Sequence, residues 1–233
     1  MLFFSELSLQ LKPARIFVIG NAFGLSSVLL SLCNPNAKVI ALDAQIEGND
    51  NDSGTSLTNR IAREQKLDLE VIVGFSPDDV PSAVTSRLDG RIDLAFIDGL
   101  HTNEQQKEDF RACWEFGGSK CFYVLHDVIG WKLTSSFAEI VSNRPNMSSD
   151  VLWRTPSGMG LLYPEEAKGS IAGLVALFTE SKEMIERVRA EAVAERLLAA
   201  PGAKALANMI PKRVLTKLRA LLLSYANRHR SDG

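Results

Sequence analysis

Aspartate and histidine side chains in two short segments are the groups in this chain best suited to chemistry. Asp98 and His101 are three positions apart, and His126 and Asp127 are adjacent. Two carboxylates with an imidazole can hold a divalent cation, which makes Asp98, His126 and Asp127 candidate ligands. An imidazole can also act as a base near neutral pH. Two plainer interpretations stay open: His126 points away from Asp127, because neighbours in a strand alternate, and His101 is only a loop residue.

Five apolar runs rich in β-branched and aromatic residues must position these side chains. They are nearly continuous in apolar residues, as in strands buried on both faces, and are separated by segments long enough for helices. The runs span residues 15–20, 38–43, 69–74, 92–98 and 121–127. This pattern predicts a doubly wound α/β sheet of Rossmann type with five parallel strands. In the expected order 3-2-1-4-5, strands four and five are neighbours about 4.8 Å apart, so Asp98 and Asp127 can converge at one edge.

Two further runs, 150–155 and 158–164, are separated by only two residues. So short a connection cannot be a parallel crossover, so the runs are predicted to form a terminal antiparallel hairpin. The complete order is then 3-2-1-4-5-7-6. Residues 1–164 are predicted to form this sheet domain, and residues 165–233 a helical C-terminal extension that acts as a lid or in oligomerisation.

Helix boundaries and one loop are also predicted. Ser76 is expected to be an N-cap with Pro77 at the first helical position, and Thr102 is expected to cap the helix that carries Gln105. Residues 131–143 are expected to be helical. The polar stretch 47–54 is predicted to be a mobile surface loop.

The end of the first predicted strand forms a small-residue turn. Gly20 and Gly24 frame it, and Ser26 leads into a helix, so a ligand could approach the backbone closely. The spacing G-x-x-x-G-x-S lacks the G-x-G-x-x-G expected for a dinucleotide pyrophosphate. Asp43, at the end of the second strand, is predicted either to bind ribose hydroxyls or merely to form a turn.

Composition narrows the function classes. The chain has 233 residues with 26 Lys+Arg, 28 Asp+Glu and a formal net charge of -2. This balance disfavours nucleic-acid binding and binding to anionic membranes. Its apolar runs are too short to span a bilayer, and its three cysteines are odd in number and widely spaced. A protein of the cytoplasm is therefore expected.

The strand-end motifs, in their order along the chain, resemble those of a class I S-adenosylmethionine-dependent methyltransferase, and of the family-24 methyltransferase domain in particular. The resemblance covers about residues 15–164. Its motifs are Val18-Ile-Gly-Asn-Ala-Phe-Gly-Leu-Ser26, Ala41-Leu-Asp43, Val73-Gly-Phe-Ser76, Phe96-Ile-Asp-Gly-Leu-His101 and Leu125-His-Asp-Val128.

The resemblance implies a cofactor site. The first motif would wrap the methionine part of the cofactor, Asp43 would bind the ribose, and Phe75 with Ser76 would flank the adenine. Asp98 would lie at the sulfonium. The implied cofactor-binding residues are Gly20, Asn21, Ala22, Phe23, Gly24, Ser26, Asp43, Ala44, Phe75, Ser76 and Asp98.

One departure from the family pattern lies in the first motif. Val18 stands where the family commonly has an acidic residue that contacts the cofactor's amino group. Several similar methyltransferases hold Mg²⁺ or a related ion between an Asp after strand four and an acidic or amide pair after strand five. His126 stands in that pair in place of an oxygen ligand, so magnesium fits this position less well, and whether a metal binds is left open.

The resemblance implies methyl transfer to oxygen on a small-molecule or sugar-like acceptor, with Asp98 and Asp127 essential. A hydroxyl needs help to lose its proton, either from a metal or from His101 or His126 as a base. Two alternatives are a nicotinamide-dependent oxidoreductase and an inactive methyltransferase-like scaffold that acts through its helical tail.

A cover for the acceptor is expected from elements after the first strand, since only 14 residues precede it and leave no room for N-terminal covering helices. The candidates are the C-terminal helices, the 49–56 loop, the Trp131 region and a second subunit. A homodimer through the C-terminal helices is one such arrangement. A longer native protein, in which Met1 is internal, also remains open.

Overall fold

A seven-stranded mixed sheet organises the computed structural model, which describes residues 2–46, 51–155 and 157–180. The strand order is β3-β2-β1-β4-β5-β7-β6, as the sequence predicts. The first five strands pair in parallel, and β7 runs antiparallel to both β5 and β6. The strands are β1 (Arg15–Ile19), β2 (Lys38–Asp43), β3 (Leu69–Val73), β4 (Leu94–Ile97), β5 (Phe122–Leu125), β6 (Met147–Leu152) and β7 (Met159–Pro164).

Seven α-helices accompany the sheet in the described ranges. They are α1 (Leu2–Leu11), α2 (Leu25–Cys33), α3 (Asn51–Gln65), α4 (Val80–Arg87), α5 (Asn103–Gly117), α6 (Thr134–Ser142) and α7 (Lys168–Phe178). No helix within these ranges combines the length and apolar character that crossing a membrane requires.

The two faces of the sheet bury separate hydrophobic layers, because side chains alternate along each strand. On β1, Ile16 and Val18 join the layer that α1, α2, α3 and α7 cover. Phe17 and Ile19 join the layer under α4, α5 and α6. Burial on both faces explains why the strands are continuous apolar runs.

The first residues of the chain form a helix that the sequence analysis missed. Phe3, Phe4 and Leu7 of α1 are buried, and the Phe4 ring meets Phe96 of β4 edge-on at 5.3 Å between centroids. The 14 residues before β1 therefore do hold one helix, but α1 belongs to the core layer and is not one of the covering helices for which no room was expected. This helix packs into the core layer on one face of the sheet.

The predicted 47–54 loop is also partly wrong, because α3 begins at Asn51. The same helix contains most of the 49–56 segment proposed as a cover, while residues 47–50 lie outside the described residues. The polar composition that suggested a loop belongs to the first turns of an amphipathic helix, whose buried positions include Gly54 and Thr58.

One helix start was predicted wrongly and another correctly. Asp79, not Ser76, is the N-cap of α4, because the Ser76 hydroxyl is engaged by Asp109 of α5. Thr102 does cap α5, and its hydroxyl accepts the backbone N–H of Gln105. The helix expected over 131–143 is confirmed in a shorter form as α6.

The helix α7 continues the fold beyond the predicted domain boundary at residue 164. Ile171, Leu174 and Val175 are buried in the same layer as α1. The compact unit that contains α7 extends to Thr179. The predicted C-terminal helices beyond residue 180 lie outside the described residues.

Candidate functional site

A cavity of about 380 Å³ opens at the carboxyl ends of the parallel strands. Ligand sites in open α/β sheets lie at this edge, where the strand order reverses between β1 and β4. Eight of the sequence-predicted cofactor residues line it: Gly20, Ala22, Phe23, Asp43, Ala44, Phe75, Ser76 and Asp98. The other three, Asn21, Gly24 and Ser26, do not line it.

The loop between β1 and α2 is fixed by close backbone approaches. Gly20 has φ 85°, and a Cβ there would lie 2.0 Å from the carbonyl oxygen of Asp98. A Cβ at Gly54 of α3 would lie 2.0 Å from the carbonyl oxygen of Ala22. The glycines therefore allow β4 and α3 to touch the loop from two sides.

The buried side chain of Asn21 stabilises this loop through hydrogen bonds. Its side chain is buried, accepts a hydrogen bond from Ser27 Oγ at 2.8 Å and donates one to Thr58 Oγ1 at 3.1 Å. Thr58 and Gly54 were missed by the sequence analysis, because α3 was not predicted to reach the site. Asn21 thus positions the cavity wall without lining it.

Asp43 organises the same loop through its carboxylate. Oδ2 accepts the backbone N–H groups of Asn21 and Ala22 at 2.6 and 3.0 Å, and Oδ1 accepts that of Gln45 at 2.8 Å. The turn-forming role considered for Asp43 is therefore present. Since a carboxylate has about four acceptor positions, one remains for a ligand hydroxyl, and ribose binding stays a prediction.

A cluster of two carboxylates and two imidazoles adjoins the cavity. His101 Nε2 lies 2.7 Å from Asp127 Oδ2 and 3.5 Å from Asp98 Oδ1. His126 Nδ1 lies 3.1 Å from Asp98 Oδ1 and 3.2 Å from Asp127 Oδ2. Asp98 and His101 also line the cavity, so the cluster and the cavity share a wall.

The backbone at Asp127 explains why adjacent residues reach the same cluster. Strand β5 ends at Leu125, and Asp127 adopts φ 60°, in the left-handed region that is uncommon for a residue other than glycine. The turn breaks the strand alternation, so the possibility that His126 points away from Asp127 is not realised. Backbone strain of this kind is often found at functional sites.

The cluster shifts the protonation of His126. Burial alone would lower the pKa of His126, but the hydrogen bond and negative charge of Asp98, with Asp127, outweigh it and raise that pKa. His101 is held differently: its ring stacks on exposed Trp131 at 4.7 Å between centroids, with 17° between the planes. The two imidazoles are therefore unequal.

The donor set of the cluster is suited to a borderline divalent cation. Ligand atoms of Asp98, His101 and Asp127 lie within 4.8 Å of one another. Two of these residues belong to the predicted set, and His126 borders both carboxylates. Mixed imidazole and carboxylate ligands suit zinc, manganese or iron better than magnesium, which prefers oxygen.

Val18 has no access to a ligand. It is fully buried in the layer beneath α1, where it is paired in register with Ala41 and Phe96. A contact from this position to a cofactor amino group is therefore absent.

A buried acid on α5 was missed by the sequence analysis. Asp109 is 1% exposed and lines the cavity, and its Oδ1 accepts hydrogen bonds from Ser76 Oγ at 2.6 Å and Gln105 Nε2 at 2.7 Å. Burial raises the pKa of Asp109, against the two hydrogen bonds, which favour the charged form. The sequence could have indicated this burial, because Asp109 lies on the same face of the amphipathic helix as Gln106, Phe110 and Cys113, which are buried.

Comparison with known proteins agrees with this geometry. A family model described as a methyltransferase domain matches residues 17–128. The chain carries a class I methyltransferase domain. The match begins within β1 and ends just after Asp127, so it contains both strand ends that supply the Asp and His cluster. The match to a methyltransferase domain gives no support to the nicotinamide-dependent oxidoreductase considered as an alternative.

Solved structures share the fold of the methyltransferase domain at low sequence identity. An O-methyltransferase from Bacillus cereus in complex with SAH superposes with a TM-score of 0.57 at 16% identity, covering 70% of this chain and 79% of that one. The O-methyltransferase TomG from Streptomyces achromogenes, in complex with SAM, gives 0.57 at 17% identity, covering 69% and 77%. An SAH-bound methyltransferase from Podospora anserina gives 0.56 at 12% identity, covering 70% and 76%. The search of curated proteins gives no match.

Proposed function

We propose that the methyltransferase domain transfers a methyl group from S-adenosylmethionine to a hydroxyl group of a small-molecule or sugar-like acceptor. The observation that carries the proposal is the Asp98–His101–Asp127 cluster, which shares a wall with the cavity. The cavity can take the cofactor, and the cluster supplies groups that can accept a proton. Among the structural neighbours, two are O-methyltransferases bound to SAH or SAM, which supports this cofactor and acceptor type.

Transfer requires an acceptor oxygen in line with the methyl carbon. The oxygen forms a bond to that carbon as the carbon–sulfur bond breaks, and the sulfonium becomes a neutral thioether. Asp98 lines both the cavity and the cluster, so its carboxylate is placed to orient the two reactants. The acceptor proton must leave in the same step or before it.

His101 is the better base of the two histidines. Two lone pairs facing each other at 2.7 Å would repel, so a proton lies between His101 Nε2 and Asp127 Oδ2. In the neutral ring the free lone pair is then on Nδ1, where it can take the acceptor proton. His126 has a raised pKa and favours its protonated form, which suits it to holding Asp98 in place.

A divalent cation is a second means of activating the acceptor. Asp98, His101 and Asp127 would hold it, with His126 beside them. When bound, such an ion lowers the pKa of a coordinated hydroxyl group. Methyl transfer that is lost in EDTA and restored by zinc or manganese would favour this form of the proposal over His101 as the base.

The first test measures binding and turnover. We expect the protein to bind S-adenosylhomocysteine in preference to NAD(H) in calorimetry, and to methylate members of a panel of phenols, catechols and sugars with labelled S-adenosylmethionine. Asp98→Ala and Asp127→Ala should each reduce turnover at least about 100-fold, since each removes a charge from the reacting centre. Asp68→Ala, at an exposed position before β3, is the matched control and should leave turnover unchanged.

Two results would contradict the proposal. Unchanged methyl transfer in either aspartate variant would remove that residue from the mechanism. Failure of the protein to bind S-adenosylhomocysteine at millimolar concentration would favour the inactive scaffold, for which buried Val18 is the structural motive.

A further inference from the structure

Two contacts of different kinds hold the ring of His101. One edge of the ring lies against a carboxylate, with Nε2 2.7 Å from Asp127 Oδ2. One face stacks on the indole of Trp131, at 4.7 Å between centroids and 17° between the planes. The side-chain torsion χ2 of histidine is broad, so a contact at one nitrogen leaves the plane of the ring free to turn. The stacking contact with Trp131 therefore fixes that plane.

Trp131 contributes little to the hydrophobic core. Its side chain is 59% exposed, so most of its apolar surface stays in water and adds little to the free energy of unfolding. Its aromatic partner in the described part of the chain is His101. Replacement of this tryptophan can therefore change the site without unfolding the protein.

The turn that carries Trp131 is hydrogen-bonded to the loop between β6 and β7. The backbone N–H groups of Ile129 and Gly130 both donate to the carbonyl oxygen of Ser157, at 3.1 and 2.7 Å. The N–H of Trp131 donates to the carbonyl oxygen of Asp127 at 3.1 Å, which closes the turn on a residue of the Asp and His cluster. The terminal hairpin thus fixes where the indole lies relative to that cluster.

Gly158, in the same hairpin loop, allows the close approach to the turn. It has φ 71°, and a Cβ there would lie 2.2 Å from Cγ1 of Ile129. Its carbonyl oxygen accepts the N–H of Val128 at 3.1 Å. Alanine at position 158 must displace Ile129, and with it the turn that carries Trp131. This substitution therefore moves the indole without changing its chemistry.

We propose that Trp131 is a positioning residue for methyl transfer, and that its indole holds the ring of His101 in the plane in which Nε2 faces Asp127. The inference rests on the proposed function, because Trp131 acts on the reaction only through His101. It applies whether His101 takes the acceptor proton or binds a cation, since both roles need a ring of fixed orientation.

Variants of Trp131 test the stacking contact through turnover of the full chain. Trp131→Leu removes the flat surface, and we expect kcat to fall about 10- to 100-fold with little change in the KM for the acceptor. Trp131→Phe keeps an aromatic ring and should restore most of kcat. Leu32→Ala is the matched control, because Leu32 is 56% exposed near the end of α2 that lies away from the cavity. It should leave both constants unchanged.

A double-mutant cycle tests whether Trp131 acts through His101. In a His101→Ala background the ring that Trp131 positions is missing, so Trp131→Leu should change kcat by less than about twofold. A direct contact of Trp131 with the acceptor would instead persist in that background and would raise KM.

NMR of the histidine ring protons measures the stacking without turnover. A ring that faces an indole has its proton resonances shifted upfield by the ring current, and the Hε1 resonance of His101 is identified by its loss in His101→Ala. We expect the upfield shift in the wild type, its loss in Trp131→Leu, and a smaller shift in Gly158→Ala. The fall in kcat should follow the loss of the shift.

The outcomes separate the inference from the proposed function. Unchanged kcat in Trp131→Leu, an equal effect of this substitution with and without His101, or a raised KM alone would each overturn the inference while methyl transfer stands. Absence of the upfield shift in the wild type would overturn it too. If the wild type transfers no methyl group, the proposed function fails and the inference with it. An unchanged unfolding temperature of Trp131→Leu, as its exposure predicts, assigns the loss of kcat to the site.

Discussion

At the scale of single residues, the protonation of His126 gives a signature of the Asp and His cluster. Its pKa is raised in the folded protein, so the folded state binds the proton more tightly than the unfolded chain does. The stabilisation is therefore fully present below the ordinary histidine pKa of about 6.5 and is lost as the pH rises through the raised value. The stability that His126 contributes is therefore greatest at acidic pH.

Replacement of His126 by asparagine tests this sign. We expect the free energy of unfolding of the wild type, measured relative to that of His126→Asn, to fall as the pH rises from about 5.5 to about 8.5. Urea unfolding at each pH, in EDTA to keep cations from the cluster, measures the difference. A difference that is constant, or that grows with pH, would show that Asp98 and Asp127 do not hold the proton on His126.

The residues of this cluster were predictable by type and position, but their arrangement was not. Asp98 and Asp127 converge because strand order and register fix where neighbouring strands end. The left-handed backbone of Asp127 and the stacking of His101 on Trp131 depend on local geometry that has no sequence period. Asp109 was missed because an acid within an amphipathic helix is normally assumed to face solvent.

At the scale of elements, Gly54 allows α3 to contact the loop between β1 and α2 closely. Glycine inside a helix normally costs about 1 kcal/mol relative to alanine, so its replacement should stabilise the protein. Gly54 is an exception, because a Cβ there would meet the carbonyl oxygen of Ala22 at 2.0 Å. Gly173 in α7 has no atom within 4 Å of the equivalent position and is the matched control.

Two alanine variants are therefore expected to differ in sign. Gly173→Ala should raise stability by about 0.5–1 kcal/mol and leave S-adenosylhomocysteine binding unchanged. Gly54→Ala should lower the unfolding temperature and weaken that binding, because α3 or the loop must move. Thermal unfolding and calorimetry measure both effects. Stabilisation of equal size in the two variants would mean that α3 does not support the loop.

The strands were predicted well from the sequence except β6, which spans Met147–Leu152 rather than residues 150–155, and the helices that pack against the sheet were predicted less well. Runs buried on both faces have a distinctive apolar composition, and the connection lengths separate the parallel strands from the terminal hairpin. The helix α1 was missed because its apolar residues do not form a single stripe at helical spacing. Ser76 has the chemistry of an N-cap, but its tertiary partner Asp109 outweighs the local preference.

At the scale of the whole molecule, the extent of the independent folding unit can be tested by shortening the chain. A chain that ends at Thr179 retains α7, whose buried residues complete the layer under α1. Phe178 also meets Phe3 edge-on at 5.4 Å between centroids. We expect residues 1–179 to unfold cooperatively and to bind S-adenosylhomocysteine with the affinity of the full chain.

A chain that ends at Pro164, the domain boundary predicted from sequence, provides the comparison. It lacks α7 and so removes Phe178 from Phe3, and the loss of several buried apolar side chains costs roughly 2–5 kcal/mol each. We expect it to aggregate or to unfold at a much lower temperature. Equal stability of the two shortened chains would show that α7 adds nothing to the fold and would support the boundary at residue 164.

The carboxylate of Asp43 affects which cellular nucleotides can compete for the cavity. A dinucleotide or ATP needs free backbone N–H groups and positive potential in the loop after β1, where its phosphates would lie. Here the N–H groups of Asn21 and Ala22 already donate to an anion of the protein itself. We therefore expect phosphorylated nucleotides to bind this loop poorly, whereas a nucleoside carrying a positive charge would meet no such repulsion.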